Sequence, residues 1–154
     1  MKIPDFKRKK LDHASPDWVA EDSIYFITIN TDPPGRNQLA NPDTATAVFE
    51  AAKFYHQGNR WYVHLLLLMP DHLHALLTFN HRDFKSSRLI QAWKSYLAKN
   101  QAIIWQDRFF DHRIRSDEEY VLKADYIRKN PLRADLIAKD ESWPFCWHAD
   151  SFRS

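Results

Sequence analysis

Cysteine is nearly absent from this chain: Cys146 stands alone among 154 residues. No intrachain disulfide can form, a zinc site made of cysteines alone is excluded, and a reducing cytoplasm is the simplest home. Long apolar runs are missing as well. The longest, WYVHLLLLMP, is interrupted by His64 and ended by Pro70, short of the roughly 20 residues that cross a bilayer. The basic start, MKIPDFKRKKLDH, has no apolar centre, which argues against a secretory signal. Internal repeats and low-complexity segments are also lacking. So is a strong charge of one sign: the formal net charge is +2, a weak hint of a polyanionic partner.

What is present suits one globular domain. Apolar residues make up 44% of the chain, enough for a real core. Residues 1–20, with Pro4 and Pro16 and little periodicity, read as a basic flexible arm, and 21–154 as a single domain. Basic residues gather locally: Arg82, Lys85, Arg88, Lys94 and Lys99 face Asp83 alone. A solvated helix face accounts for them, and so does a surface that follows phosphates. Six Trp and ten Phe are mostly core material, and any exposed ones can stack on bases.

The pattern predicts a strand at SIYFITIN (23–30), then a loop broken by Pro33, Pro34 and Gly35. A helix follows from Asp43 or Thr44 to about His56, with Gly58 as its stop. Strands are expected at 60–69 and 72–79, joined tightly by Pro70-Asp71 and pairing antiparallel. A second helix covers 83–100, with Leu89, Ile90, Trp93 and Leu97 at helical spacing. A shorter strand lies at 105–114. Ser116 and Glu119 form a capping box that opens a third helix, which ends near Pro131; LRADLI adds one more turn. Trp143, Phe145 and Trp147 read as packing anchors. The order β-α-β-β-α-β-α predicts an α+β, ferredoxin-like sandwich: an antiparallel sheet with its helices on one face.

Two segments carry chemistry. In MPDHLHALLTF, His72 and His74 sit two apart on a strand and so point to one face. Together they can share a cation; alternatively, one is a hydrogen-bonded core histidine and the other ends the strand. In KADYIRKNP, Tyr126 and Asn130 are four apart, one above the other on a helix, with Lys123 on the same face. Tyr120, Ala124 and Ile127 take the apolar side, Tyr120 a net 120° around by the roughly 100° per residue of a helix. Tyr126 therefore has polar neighbours, as a reactive tyrosine or a half-exposed one both would. His64, on the neighbouring strand, reads as core.

MPDHLH resembles the MPNHxH signature of the single-tyrosine HUH transposases. WQDRFFDHRIRSDEEYVLKADYIRKNPLRADLI resembles the second half of the REP-associated tyrosine transposases, with its DH-x-x-R block followed by YI-x-x-NP-x-[RK]-x-G. The similarity covers about residues 22 to 148. It implies that His72, His74 and Asn130 hold a divalent metal, Mg²⁺ or Mn²⁺, and that Tyr126 is the nucleophile. Lys123, His112 and Arg115 become supporting residues, and Arg82, Lys85, Arg88 and Lys94 candidate DNA contacts. Asp135 stands where the family usually has glycine; aspartate tolerates the left-handed turn expected there.

The resemblance further implies cleavage and transfer of single-stranded DNA through a covalent 5′-phosphotyrosine. REP-type hairpins are the expected partner, a monomer the expected state, and the bacterial cytoplasm, associated with the nucleoid, the expected location. Two alternatives stand beside it. One is a module of the same fold that grips hairpins without cutting. The other is a small-molecule metal hydrolase that uses the HxH pair and has no need of Tyr126.

Overall fold

The computed structural model describes residues 15–148. Helix α1 (Asp17–Glu21) leads into β1 (Ile24–Thr31), α2 (Pro42–Gln57), β2 (Trp61–Leu68) and β3 (His72–Phe79). Then come α3 (Ser86–Gln101), β4 (Trp105–Arg113), α4 (Asp117–Arg128), α5 (Asn130–Arg133) and β5 (Cys146–His148). The strands form one sheet in the order β4-β1-β3-β2-β5, with every pairing antiparallel. The first four strands and the two helices between them are the ferredoxin-like α+β sandwich expected from the sequence.

Alternation along the strands divides the sheet into two apolar faces. Ile27, Ile29, Leu73, Ala75, Leu77 and Phe79 pack under α2 and α3, against Val48, Ala52, Ile90, Trp93 and Leu97. Phe26, Leu65, Leu67 and Leu76 face the other way and bury Tyr120, Ala124 and Ile127 of α4. Two helices thus share one face as expected, while α4 covers the opposite one. A bulge at His64 makes this division possible in β2, because the register shifts between Val63 and Leu65 and reverses the alternation. The His64 ring contacts Thr78 Oγ1 at 2.8 Å and packs edge-on to Tyr120. It is a core histidine.

The helix starts follow local chemistry. Asn41 accepts the Thr44 N–H at 3.0 Å, with Pro42 just inside α2. Half of the expected capping box opens α4: Ser116 Oγ accepts the Glu119 N–H at 3.0 Å, while the Glu119 carboxylate takes the Arg115 N–H, one residue before the cap. Pro131 has no N–H to donate, and the helix is interrupted at Lys129, two residues before it, while Asn130, which the proline was expected to hold out of helical conformation, opens α5. Asp135 adopts φ 57°, and the Leu136 N–H returns to the Pro131 carbonyl. This is the left-handed turn anticipated for that position.

Several expectations are corrected. Most of the 1–20 arm lies outside the described residues, but residues 17–20 are helical, and Trp18 and Val19 bury against Tyr62. The second helix begins at Ser86 rather than 83, because Asn80 caps a turn through the N–H groups of Asp83 and Phe84. The closing segment contains an unforeseen strand, β5, whose Trp147 pairs with Leu66 and enters the α2/α3 core. No helix among the described residues is long and apolar enough to cross a membrane.

Candidate active site

The chemistry-bearing residues gather on the α4 face. Sheet register sets the floor. Thr28 of β1 lies between His74 of β3 and Phe110 of β4, Phe26 lies across from His112, and Asn30 lies across from His72. Directly paired residues share a face, so this floor presents both histidines, an exposed phenylalanine and an amide. Helix α4 crosses above it and brings Lys123 and Tyr126. A cavity of about 450 Å³ opens between them, lined by Phe26, Thr28, His74, Phe110, Lys123 and Tyr126.

His72 and His74 converge as strand geometry requires, their ring centres 4.9 Å apart. His74 is buried, stacked on Phe26 at 5.4 Å, and its Nδ1 meets Thr28 Oγ1 at 2.9 Å. Burial above all, helped by the charges of His72 and Arg133, holds its pKa down to about 3. It is therefore neutral at ordinary pH, the state in which imidazole binds a metal. His72 is half-buried, with Nδ1 2.8 Å from Asp71 Oδ1. In both rings Nδ1 is engaged by the protein, which leaves Nε2 for another partner.

Tyr126 lies 5.8 Å from His74, ring centre to ring centre. It is also edge-on to Phe26 and 46% exposed, so its hydroxyl is accessible to a large substrate. The rival Tyr120 is buried against the sheet, and burial pushes its phenol pKa up. Lys123 Nζ sits 5.3 Å from the Phe26 ring, on the cavity wall. Asn130 opens α5 four residues beyond Tyr126, half-buried.

A residue not singled out from the sequence packs against Tyr126. Arg133 places its guanidinium 4.4 Å over the Tyr126 ring and donates to the Tyr126 carbonyl. Its signal was available: it occupies the [RK] position of the resembled motif, seven residues after the tyrosine.

Other sequence-selected residues have different placements. His112 bonds Glu119 Oε2 at 2.7 Å, while Oε1 of the same carboxylate accepts the Arg115 N–H at 2.7 Å. His112 and Arg115 thus fasten the end of β4 to the start of α4, and they act on the site by positioning the tyrosine helix. Arg82, Lys85 and Arg88 are exposed, but they lie in and before α3, which packs on the sheet face opposite Tyr126. Lys94 is a correction. It is 4% exposed and its ammonium donates to the carbonyls of Gln106 and Asp107. Its place beside Trp93 turns it inward, where it satisfies strand carbonyls instead of following phosphates.

Among the described residues, no group of three or more His, Cys, Asp and Glu side chains is arranged to hold a metal ion. The donor set nevertheless fits one in kind: two Nε2 atoms on one face, with the Asn30 amide paired across from His72 and open positions for substrate and water.

No family model matches the chain. Two curated proteins do. It is 34% identical over 98 residues to the REP-associated tyrosine transposase of Escherichia coli K12, covering 62% of this chain and 56% of that protein. It is 26% identical over 102 residues to a Haemophilus influenzae protein provisionally named REP-associated tyrosine transposase, covering 55% and 58%. The chain therefore spans a little over half the length of these curated relatives.

Among solved structures, a REP-associated tyrosine transposase bound to a REP hairpin matches with a TM-score of 0.72 at 23% identity, over 81% of this chain and 76% of that one. A protein from Deinococcus radiodurans R1, provisionally described as a transposase, matches with a TM-score of 0.50 at 15% identity, over 67% and 87%. The fold is the one seen in these two solved structures. By sequence the chain is similar to two REP-associated tyrosine transposases over a little over half of their length, in keeping with the resemblance of its two motif blocks.

Proposed function

We propose that this chain is a metal-assisted enzyme that cleaves and rejoins single-stranded DNA at hairpin-bearing sites, with Tyr126 as nucleophile. The observation that carries the reading is the meeting of Tyr126 with His74 at an open cavity that Lys123 also lines. The curated relatives and the hairpin-bound structural neighbour support the substrate class. The Tyr126 oxygen attacks a backbone phosphorus, the bond to the 3′ oxygen breaks, and the phenolic proton passes to solvent while the departing 3′ oxygen takes one up from it. The products are a 5′-phosphotyrosine and a free 3′-hydroxyl. That hydroxyl, or another, reverses the step, so the energy of the phosphodiester is kept without ATP.

His72 and His74, with Asn130, would hold the divalent ion, Mg²⁺ or Mn²⁺. When bound, it polarises the phosphate and offsets charge in the transition state. Lys123 and Arg133 add positive charge on the tyrosine side. Phe110, exposed beside Thr28, offers a face for an unstacked base. A stacked duplex resists approach from both the metal side and the helix side, which favours single strands. A bacterial cytoplasmic, DNA-associated location and a monomeric state belong to this reading.

Incubation with a labelled single-stranded hairpin and Mn²⁺ tests it against the alternatives. A covalent adduct that His72→Ala abolishes supports cleavage. Binding without an adduct indicates a non-cleaving module, and neither outcome leaves the small-molecule hydrolase.

A further inference from the structure

We propose that Asp71 is the positioning residue of the metal site: its carboxylate fixes which nitrogen His72 presents and ties that ring to the loop after β1. The inference rests on the metal-binding reading of the histidine pair. Asp71 stands where the resembled signature carries asparagine, so the charge at this position is a property of this chain.

The carboxylate is held at both oxygens, in different directions. Oδ1 lies 2.8 Å from His72 Nδ1, and Oδ2 accepts the Gly35 N–H at 2.8 Å. The Asp71 carbonyl accepts both the N–H and the hydroxyl of Thr31, each at 2.9 Å. The residue therefore joins the end of β1, the loop through Gly35 and the start of β3, and it cannot turn away without losing contacts on each. Gly35 contributes a backbone conformation at φ 84°, which lets that loop bring its N–H back to the carboxylate.

The consequence for His72 follows from donor and acceptor chemistry. An ionised carboxylate only accepts hydrogen bonds, so the ring nitrogen facing it carries the proton. When a cation arrives, Nδ1 keeps its proton and Nε2 supplies the lone pair. His74 is oriented differently, by the neutral hydroxyl of Thr28 at 2.9 Å and by the Phe26 stack. The two ligands are thus unequal: His72, more exposed, depends on its carboxylate, whereas His74 is held by packing.

The test measures Mn²⁺ affinity directly, by calorimetry and by the paramagnetic signal of unbound Mn²⁺, with no DNA present. Asp71→Ala is expected to weaken binding by about 10- to 100-fold, the usual cost of losing such a partner. Asp71→Asn, which keeps an acceptor but not the charge, should fall between. Melting curves accompany each variant, since a residue that only anchored the loop would lower stability and leave the affinity of the folded protein unchanged. In the metal-free protein, nitrogen NMR should find the His72 proton at Nδ1. Wild-type affinity in folded Asp71→Ala, or a proton at Nε2, overturns the assignment and leaves the metal reading standing. A wild-type protein that binds no Mn²⁺ overturns the metal reading itself, and this assignment with it.

Discussion

Replacing Arg133 with methionine removes a charge beside Tyr126 and keeps most of the apolar stem. The guanidinium lies 4.4 Å over the Tyr126 ring; seated over the face, it is about 5 Å from the phenol oxygen. A unit charge at that range contributes about 3 kcal/mol at an effective dielectric constant of about 20. Only part of a charge develops between ground and transition state, and Arg133 is exposed to screening solvent. About 1 kcal/mol is then the differential share, or about five- to tenfold in rate. The lost contacts to the ring and to the Tyr126 carbonyl should cost about 1 kcal/mol of stability, too little to unfold a domain of ordinary stability, about 5–15 kcal/mol. Single-turnover adduct formation at saturating DNA and Mn²⁺, with a parallel thermal melt, separates the two effects. A folded variant with an unchanged single-turnover rate would refute the role.

Two further outcomes concern stability. His56 and His74 are both depressed by burial, to about 4 and about 3, and His56 Nδ1 accepts the Val63 N–H at 3.1 Å. In the unfolded chain each takes up a proton near its ordinary value of 6.5, while the folded chain resists. The stability they contribute is therefore complete above that value and is lost as pH falls toward the folded values; denaturant melts of the metal-free protein across that range check it, and a flat profile would contradict the burial argument. Ala102 ends α3 in the left-handed region at φ 56°, so Ala102→Gly should add about 1 kcal/mol and raise the melting temperature by about 2–4 °C; an unchanged or lower melting point would show the position is unstrained.

The strands and helices were legible because their periods were clean. HLHALLTF, bounded by Pro70-Asp71 and Asn80, forms β3 with the expected bounds, and Ser116 and Glu119 mark the start of α4 by hydrogen-bond chemistry alone. The bulge at His64 left no such mark: WYVHLLLL is apolar throughout, so its alternation could not show where it reverses. The side of the sheet that α4 covers was hidden for the same reason, since both faces of β2 and β3 are apolar. Lys94 misled because its charge suggested solvent, whereas its helical position beside Trp93 placed it at the carbonyls of β4. Of the site, the strand period alone put His72 and His74 on one face, and the helical period put Tyr126 opposite Tyr120. The Asp71 contact with the loop joins residues 36 apart, and no local pattern encodes such a pairing; the Arg133 contact with Tyr126, only 7 apart, was present in the motif and was passed over.

The central claim is that Tyr126 is the residue that becomes linked to DNA. Tyr126→Phe removes one oxygen from a half-exposed ring, so folding, Mn²⁺ binding and hairpin binding should persist while cleavage and the covalent adduct vanish together. The most direct measurement traps the wild-type adduct on a labelled single-stranded hairpin, digests the protein and locates the modified residue by mass spectrometry. A phosphodiester on Tyr126 is expected. A phosphodiester on any other residue, or full cleavage by Tyr126→Phe, would contradict it.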